Sequence, residues 1–235
     1  MKVAVLNFSG NVGKTTISGQ LLKPRMGDAP IYSIESINAG ADSDGLKVEK
    51  MKGKKFGTLI DELMLIDSAV VDVGASNVED FLKLMQQHSG SHEDFDYFVI
   101  PLVKEKKVQA DTINTIRALS KIGIERKRIR MVFNKVDTDD SIEDEFAAVI
   151  GLAAVEKSFT LNLDAVIYAN EAFEKLKTVG KSLSDIAADA VDYRSQLRTA
   201  VTDDEKEKCV QMIGLKRLTI TANKNLDDVF KVLFN

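Results

Sequence analysis

The sequence predicts a three-layer α/β sandwich, with a mostly parallel central sheet and helices on both of its faces. Three observations predict it. Short apolar runs alternate with segments of helical period along most of the chain. Several of these runs are apolar at successive positions, as strands covered on both faces require. An apolar content of 44% in 235 residues supplies enough side chains to cover such a sheet.

The elements follow in order. Val3–Phe8 reads as the first strand, and Ile31–Ile34, Ala69–Val73, Tyr97–Leu102, Ile129–Phe133 and Ala165–Tyr168 as the later ones. Thr15–Leu22 reads as the helix after a glycine loop. Val78, Phe81, Leu82 and Met85 fall on one helical stripe, and Val108, Ile113, Ile116 and Leu119 on another. Leu183, Ile186, Ala187, Ala190, Val191, Arg194 and Leu197 trace a long helix, and Thr202-x-x-Glu205 opens a further one as a capping box. Strand–helix alternation of this kind gives parallel neighbours through right-handed crossovers. Asn38–Gly57, rich in Gly, Asp, Ser and Lys, reads as a loop over a ligand or a partner-facing insert. With three prolines and no Pro/Gly-rich linker, residues 1–235 read as a single domain, and 169–235 as a helical extension packed on it.

Bulk composition narrows the function. A net charge of −4 argues against a strongly basic nucleic-acid coat, so any DNA contact needs a local patch or a partner protein. The single cysteine, Cys209, allows no internal disulfide and suits a reducing cytoplasm. The N-terminal apolar run turns polar at Asn7, too soon for a signal segment or a membrane span.

The chemistry concentrates in Phe8-Ser9-Gly10-Asn11-Val12-Gly13-Lys14-Thr15-Thr16, directly after the first strand. Strand, glycine loop, Lys-Thr and helix are together the context of a P-loop NTPase. Gly10 and Gly13 are expected to take backbone angles that side chains forbid, turning amides toward phosphate oxygens. The helix start adds its positive end. Lys14 would reach the β- and γ-phosphates, and the Thr15 hydroxyl would bind Mg²⁺. Phe8 stands where the full pattern has its outer glycine.

This loop resembles the deviant Walker A loop of the ParA/MinD ATPases, which typically reads Lys-Gly-Gly-Val-Gly-Lys-Thr-Thr. The likeness extends more weakly over roughly the first 140 residues. Met1 through Thr16, with Ser33-Ile34-Glu35-Ser36-Ile37-Asn38, looks most like the plasmid stability proteins of the StbB kind. The resemblance implies an ATPase switch in plasmid stability, positioning or conjugation, acting with a small DNA-binding partner. It also implies a nucleotide-dependent homodimer. In that family the first lysine of the loop reaches the phosphates of the partner subunit; Ser9 takes its place here. Asn11 replaces a loop glycine and tolerates left-handed angles better than most residues.

Other residues complete the expected site. The family's Asp-x-Asp after the second strand corresponds to Ser33-Ile34-Glu35, making Glu35 the candidate water-positioning carboxylate. Val70-Val71-Asp72-Val73-Gly74 resembles a Walker B strand end, with Asp72 toward Mg²⁺ and Gly74 beside the γ-phosphate. Val132-Phe133-Asn134-Lys135-Val136-Asp137 matches the guanine-reading Asn-Lys-x-Asp of GTPases, in which the Asp accepts guanine N1–H and N2–H. An Asn at this strand end also contacts adenine in ParA-like ATPases, so both ATP and GTP stay open. Two lysine- or arginine-rich loops, Lys47–Lys55 and Arg126–Arg130, are candidates for weak DNA-backbone contact or simply solvated surface. The tail Leu226–Phe234 resembles a membrane-holding amphipathic end but carries Asp227 and Asp228, so it reads as core-packing.

Overall fold

The computed structural model describes residues 1–27, 29–35 and 53–235, the side chains of 53 and 54 excepted. Lys47, Lys50 and Lys52, and most of the expected 38–57 loop, lie outside the described residues. The end of that loop is helical, since a helix begins at Gly53.

Six parallel strands form one sheet in the order β2-β3-β1-β4-β5-β6. They are β1 (Lys2–Val5), β2 (Ile31–Ile34), β3 (Ala69–Val73), β4 (Tyr97–Leu102), β5 (Ile129–Val136) and β6 (Val166–Tyr168). Every described pairing is parallel, as the continuous apolar runs required. Alternate side chains divide between two layers. Ala4, Leu6, Val71 and Val73 join one core, with Phe56, Phe81, Phe95 and Phe146. Val3, Val5 and Val70 join the other, with Ile17, Leu21, Ile186, Leu215 and Leu226.

The first layer comes from α3 (Gly53–Met64), α4 (Val78–Gln87), α5 (Lys106–Ile122) and α7 (Ala147–Glu156), with the short α6 (Ile142–Glu145) before the last. The second comes from the segment after the glycine loop and from α8 (Ala172–Val179), α9 (Leu183–Ala188), α10 (Tyr193–Thr199) and α11 (Asp203–Phe234).

Three sequence expectations need correction. The strand expected over Ile129–Phe133 runs on to Val136, taking in Asn134 and Lys135. The strand expected over Val3–Phe8 stops at Val5, because the next residues are drawn off by side-chain bonds. Asn7 Nδ2 donates to Pro101 O and Thr112 Oγ1, and the Phe8 amide donates to Thr115 Oγ1. The long helix expected over 183–197 is two helices. Asp189 is extended at the end of α9, and the Asp192 carboxylate caps α10 through the amides of Arg194 and Ser195. Short acidic side chains offer the backbone these local bonds in competition with the helix.

The expected helix after the loop also has a distinct form. α1 (Lys14–Thr16) passes into a π-helical stretch, Ile17–Leu22, and then α2 (Lys23–Arg25). Pro24 explains the widening: it has no amide for the Gln20 carbonyl, and its ring crowds that oxygen. Arg25 Nη1 satisfies the freed Gln20 O at 2.8 Å and Leu21 O at 3.3 Å. The same guanidinium reaches α11, at Asn223 O, Asn223 Oδ1 and Asp227 Oδ1.

Candidate nucleotide site

The site forms where the carboxyl ends of β1, β3 and β5 meet, the position at which parallel sheets bind ligands. The loop of residues 9–13 bridges β1 to α1. Gly13 holds φ 86, and a Cβ there would lie 2.2 Å from Asn134 Nδ2. Asn11 takes the other left-handed turn, at φ 58. Gly10 does not: it has no positive φ, and a Cβ on it meets nothing within 4 Å. The strained position after it therefore belongs to Asn11, which corrects the expectation for Gly10. Phe8 packs on the core beneath the loop.

Gly13 gives α1 no side-chain cap, so the first-turn amides remain available to an anion. Lys14 is buried and curls over its own loop, its Nζ 2.7 Å from Ser9 O and 3.2 Å from Asn7 O. Burial pulls its pKa down to about 8, against the attraction of Asp72 and Glu35.

Asp72 is the penultimate residue of β3, paired with Val5 on one side and Ser33 on the other, and is 2% exposed. Burial raises its pKa; the Thr15 hydroxyl, Lys14 and the Ser18 hydroxyl oppose that rise. Its Oδ1 has no hydrogen-bond partner. An unpartnered buried carboxylate oxygen is costly unless something binds it. A hard dication fits: it prefers oxygen donors, and Thr15 and Asp72 supply a hydroxyl and a carboxylate side by side. Glu35 is exposed at the end of β2, close enough for its charge to act on both Lys14 and Asp72. Gly74 donates its amide to Ile34 O at 2.8 Å, and a Cβ on it would come within 3.0 Å of that oxygen. A cavity of about 1020 Å³ opens beside Thr15 and Asp72 and is lined also by Leu176, Lys181 and Ser182.

The end of β5 closes the loop from the other side. Asn134 Nδ2 donates to Val12 O, and Lys135 Nζ donates to Asn11 O, both at 2.8 Å. Lys135 itself has φ 58, where the register of β5 against β6 shifts. Asp137 is not beside the loop residues in this way; it is bound to Lys104 at 2.7 Å.

Some contacts of the loop were not foreseen. Ser9, which stands where the resembled loop has a lysine, turns inward and donates to Asp111 Oδ2 at 2.5 Å. Asn7 accepts the Ser9 amide at 2.8 Å, pinning the start of the loop. The available signal was the fully buried polar pair Thr112 and Thr115 on the apolar face of α5. The Arg126–Arg130 cluster is largely occupied. Arg126 and Arg128 bind backbone carbonyls, Lys127 pairs with Glu125, and Arg130 stacks over Tyr97.

No family model matches the sequence, and no curated protein sequence matches it. Solved structures share the fold at low identity. MinD in the MinC:MinD cell division complex of Aquifex aeolicus has TM-score 0.55 and 13% identity, covering 92% of this chain and 94% of that one. The cell division ATPase MinD of Pyrococcus furiosus has TM-score 0.54 and 15% identity, covering 92% and 98%. A putative plasmid partition protein of Borrelia burgdorferi bound to AMPPNP has TM-score 0.50 and 13% identity, covering 91% and 97%.

Proposed function

We propose that this chain is a Mg²⁺-dependent nucleotide switch that binds and slowly hydrolyses ATP. Its work is plasmid stability, positioning or conjugation in the bacterial cytoplasm, through a DNA-binding partner. One observation carries the chemistry: the unpartnered Oδ1 of buried Asp72, set beside Thr15 and Lys14 at the mouth of an uncapped helix. Lys14 would leave Ser9 O and Asn7 O for the β- and γ-phosphates. Gly10, Asn11, Val12, Gly13 and Thr16 would line the phosphates with backbone, and Asn134 would hold the loop and face the base. Thr15 and Asp72 would hold Mg²⁺, whose charge would lower the barrier to phosphoryl transfer. Glu35 would orient the attacking water, and Gly74 would tie β2 to the nucleotide state.

The plasmid role draws on the StbB-like N-terminus and on the fold shared with the Borrelia partition protein. Phosphate release should be measurable with Mg-ATP, rise when the partner and DNA are added, and vanish in Lys14→Ala. Release that persists in Lys14→Ala would contradict the reading.

A binding module without turnover is the second reading. Ser9 favours it, because its hydroxyl is spent on Asp111 and no lysine projects from that position toward a second subunit. Saturable ATP binding with no phosphate release under any condition would select it. Ultracentrifugation with a non-hydrolysable analogue tests the homodimer directly. A GTPase reading is favoured by the grip of Asn134 and Lys135 on the loop; parallel ATP and GTP affinities decide it.

A further inference from the structure

Asp137 would supply the acceptor for guanine in an Asn-Lys-x-Asp loop, yet its carboxylate is already engaged. Lys104, two residues beyond β4, places Nζ 2.7 Å from Asp137 Oδ2. The same ammonium lies 3.0 Å from Asp140 Oδ2 and 3.4 Å from Asp140 Oδ1. Asp140 Oδ2 also accepts the backbone amide of Asp137 at 3.0 Å. The three residues therefore form a closed ring. The backbone of Lys104 is fixed in turn: the side chain of Gln109, a 5%-exposed residue, donates to Lys104 O at 3.0 Å and to Glu145 O at 2.8 Å. An isolated surface ion pair would yield easily to a competing donor. This one is at the surface too, with the Asp137 side chain 53% exposed, but its ammonium is shared with Asp140, which also accepts the Asp137 amide, so releasing Asp137 breaks a connected network.

We propose that Lys104 is a specificity-determining residue: by occupying and neutralising Asp137 it cancels the guanine acceptor and leaves the site to adenine. The proposal rests on the nucleotide reading above. Guanine offers two N–H donors that need a free, charged carboxylate to be worth a strong paired bond. Adenine presents no such pair, so it loses nothing when Asp137 is masked. Specificity here is a difference of two affinities, set by what the loop denies to one base.

The test is the ratio of ATP to GTP affinity, using Mg²⁺ and non-hydrolysable analogues by calorimetry. It compares the wild-type chain with Lys104→Met, Lys104→Arg and Lys104→Met/Asp137→Ala. A ratio taken on one sample is insensitive to partial misfolding. The wild-type chain should bind ATP at least as tightly as GTP. Lys104→Met should tighten GTP by about tenfold or more while leaving ATP within about threefold, since the freed carboxylate gains a paired, charge-assisted contact. The double variant should lose that gain, and Lys104→Arg should keep the wild-type ratio. An unchanged ratio in Lys104→Met, a gain that survives Asp137→Ala, or a wild-type preference for GTP would each overturn the proposal. Binding of neither nucleotide by the wild-type chain would overturn the nucleotide reading itself, and the proposal with it.

Discussion

Lys14 holds its charge in a place that disfavours it. Its folded pKa of about 8 lies below the ordinary 10.5, mainly through burial. Between those two values the unfolded chain binds a proton that the folded chain lacks. Stability therefore rises with pH through that window, and the penalty of burying the ammonium is felt in full below it. Bound phosphate would restore the proton. Nucleotide binding at about pH 9 should take up close to one proton, and the uptake should fade toward pH 7. Calorimetry in buffers of different ionisation enthalpy measures this; equal uptake at both pH values would show that Lys14 does not meet the phosphates. Gly13→Ala should cost about 1–2 kcal/mol for its left-handed backbone alone. The 2.2 Å approach to Asn134 Nδ2 adds a clash. Thermal unfolding should show the loss, and adding Asn134→Ala should recover part of it. Gly13, Lys14, Thr15 and Asp72 could be picked out in the sequence because their chemistry is local to one loop or one strand end. Asn7, Asp111 and Lys104 could not, because their partners come from other strands and helices.

At the scale of elements, the end of β5 controls the loop it touches. Asn134 is buried and its amide satisfies the Val12 carbonyl, so Asn134→Ala leaves that oxygen without its partner. The expected loss is about 1–3 kcal/mol of stability, with weaker nucleotide binding from a loosened loop. Denaturant unfolding and a nucleotide titration check both; unchanged affinity would mean the clip is ornamental to the site. The strands were readable because burial on both faces leaves continuous apolar runs: β2, β3 and β4 match the expected ranges and β6 begins one residue later, while β5 runs three residues further, to Val136. β1 came out shorter because Asn7, Thr112 and Thr115 form bonds that no periodicity reveals. The π-helical turn was hidden for a similar reason. Pro24 announces a disturbance, but Arg25 decides that it is accommodated rather than broken.

For the molecule as a whole, α11 is the long strut that ties the second layer together. Its Leu226, Val229 and Leu233 are buried against the same core as Val3 and Ile17, so the C-terminal end packs inward as its acidic residues implied. Among the described residues no helix is long and apolar enough to cross a membrane. Leu226→Ala should cost about 2–5 kcal/mol in denaturant unfolding, as a truncation in a closed core does. It should leave ATP affinity nearly unchanged, because none of the described hydrogen bonds of the loop involves α11; a small stability loss would mean the strut is not part of the core. If Lys14, Thr15 and Asp72 form a working Mg-nucleotide site, a calorimetric titration with Mg²⁺ and a non-hydrolysable ATP analogue should show it. Binding should be saturable and Mg²⁺-dependent, and should fall by at least about a hundredfold in Lys14→Ala, as expected when a charged phosphate contact is removed. No binding by the wild-type chain, or equal binding by Lys14→Ala, would contradict it.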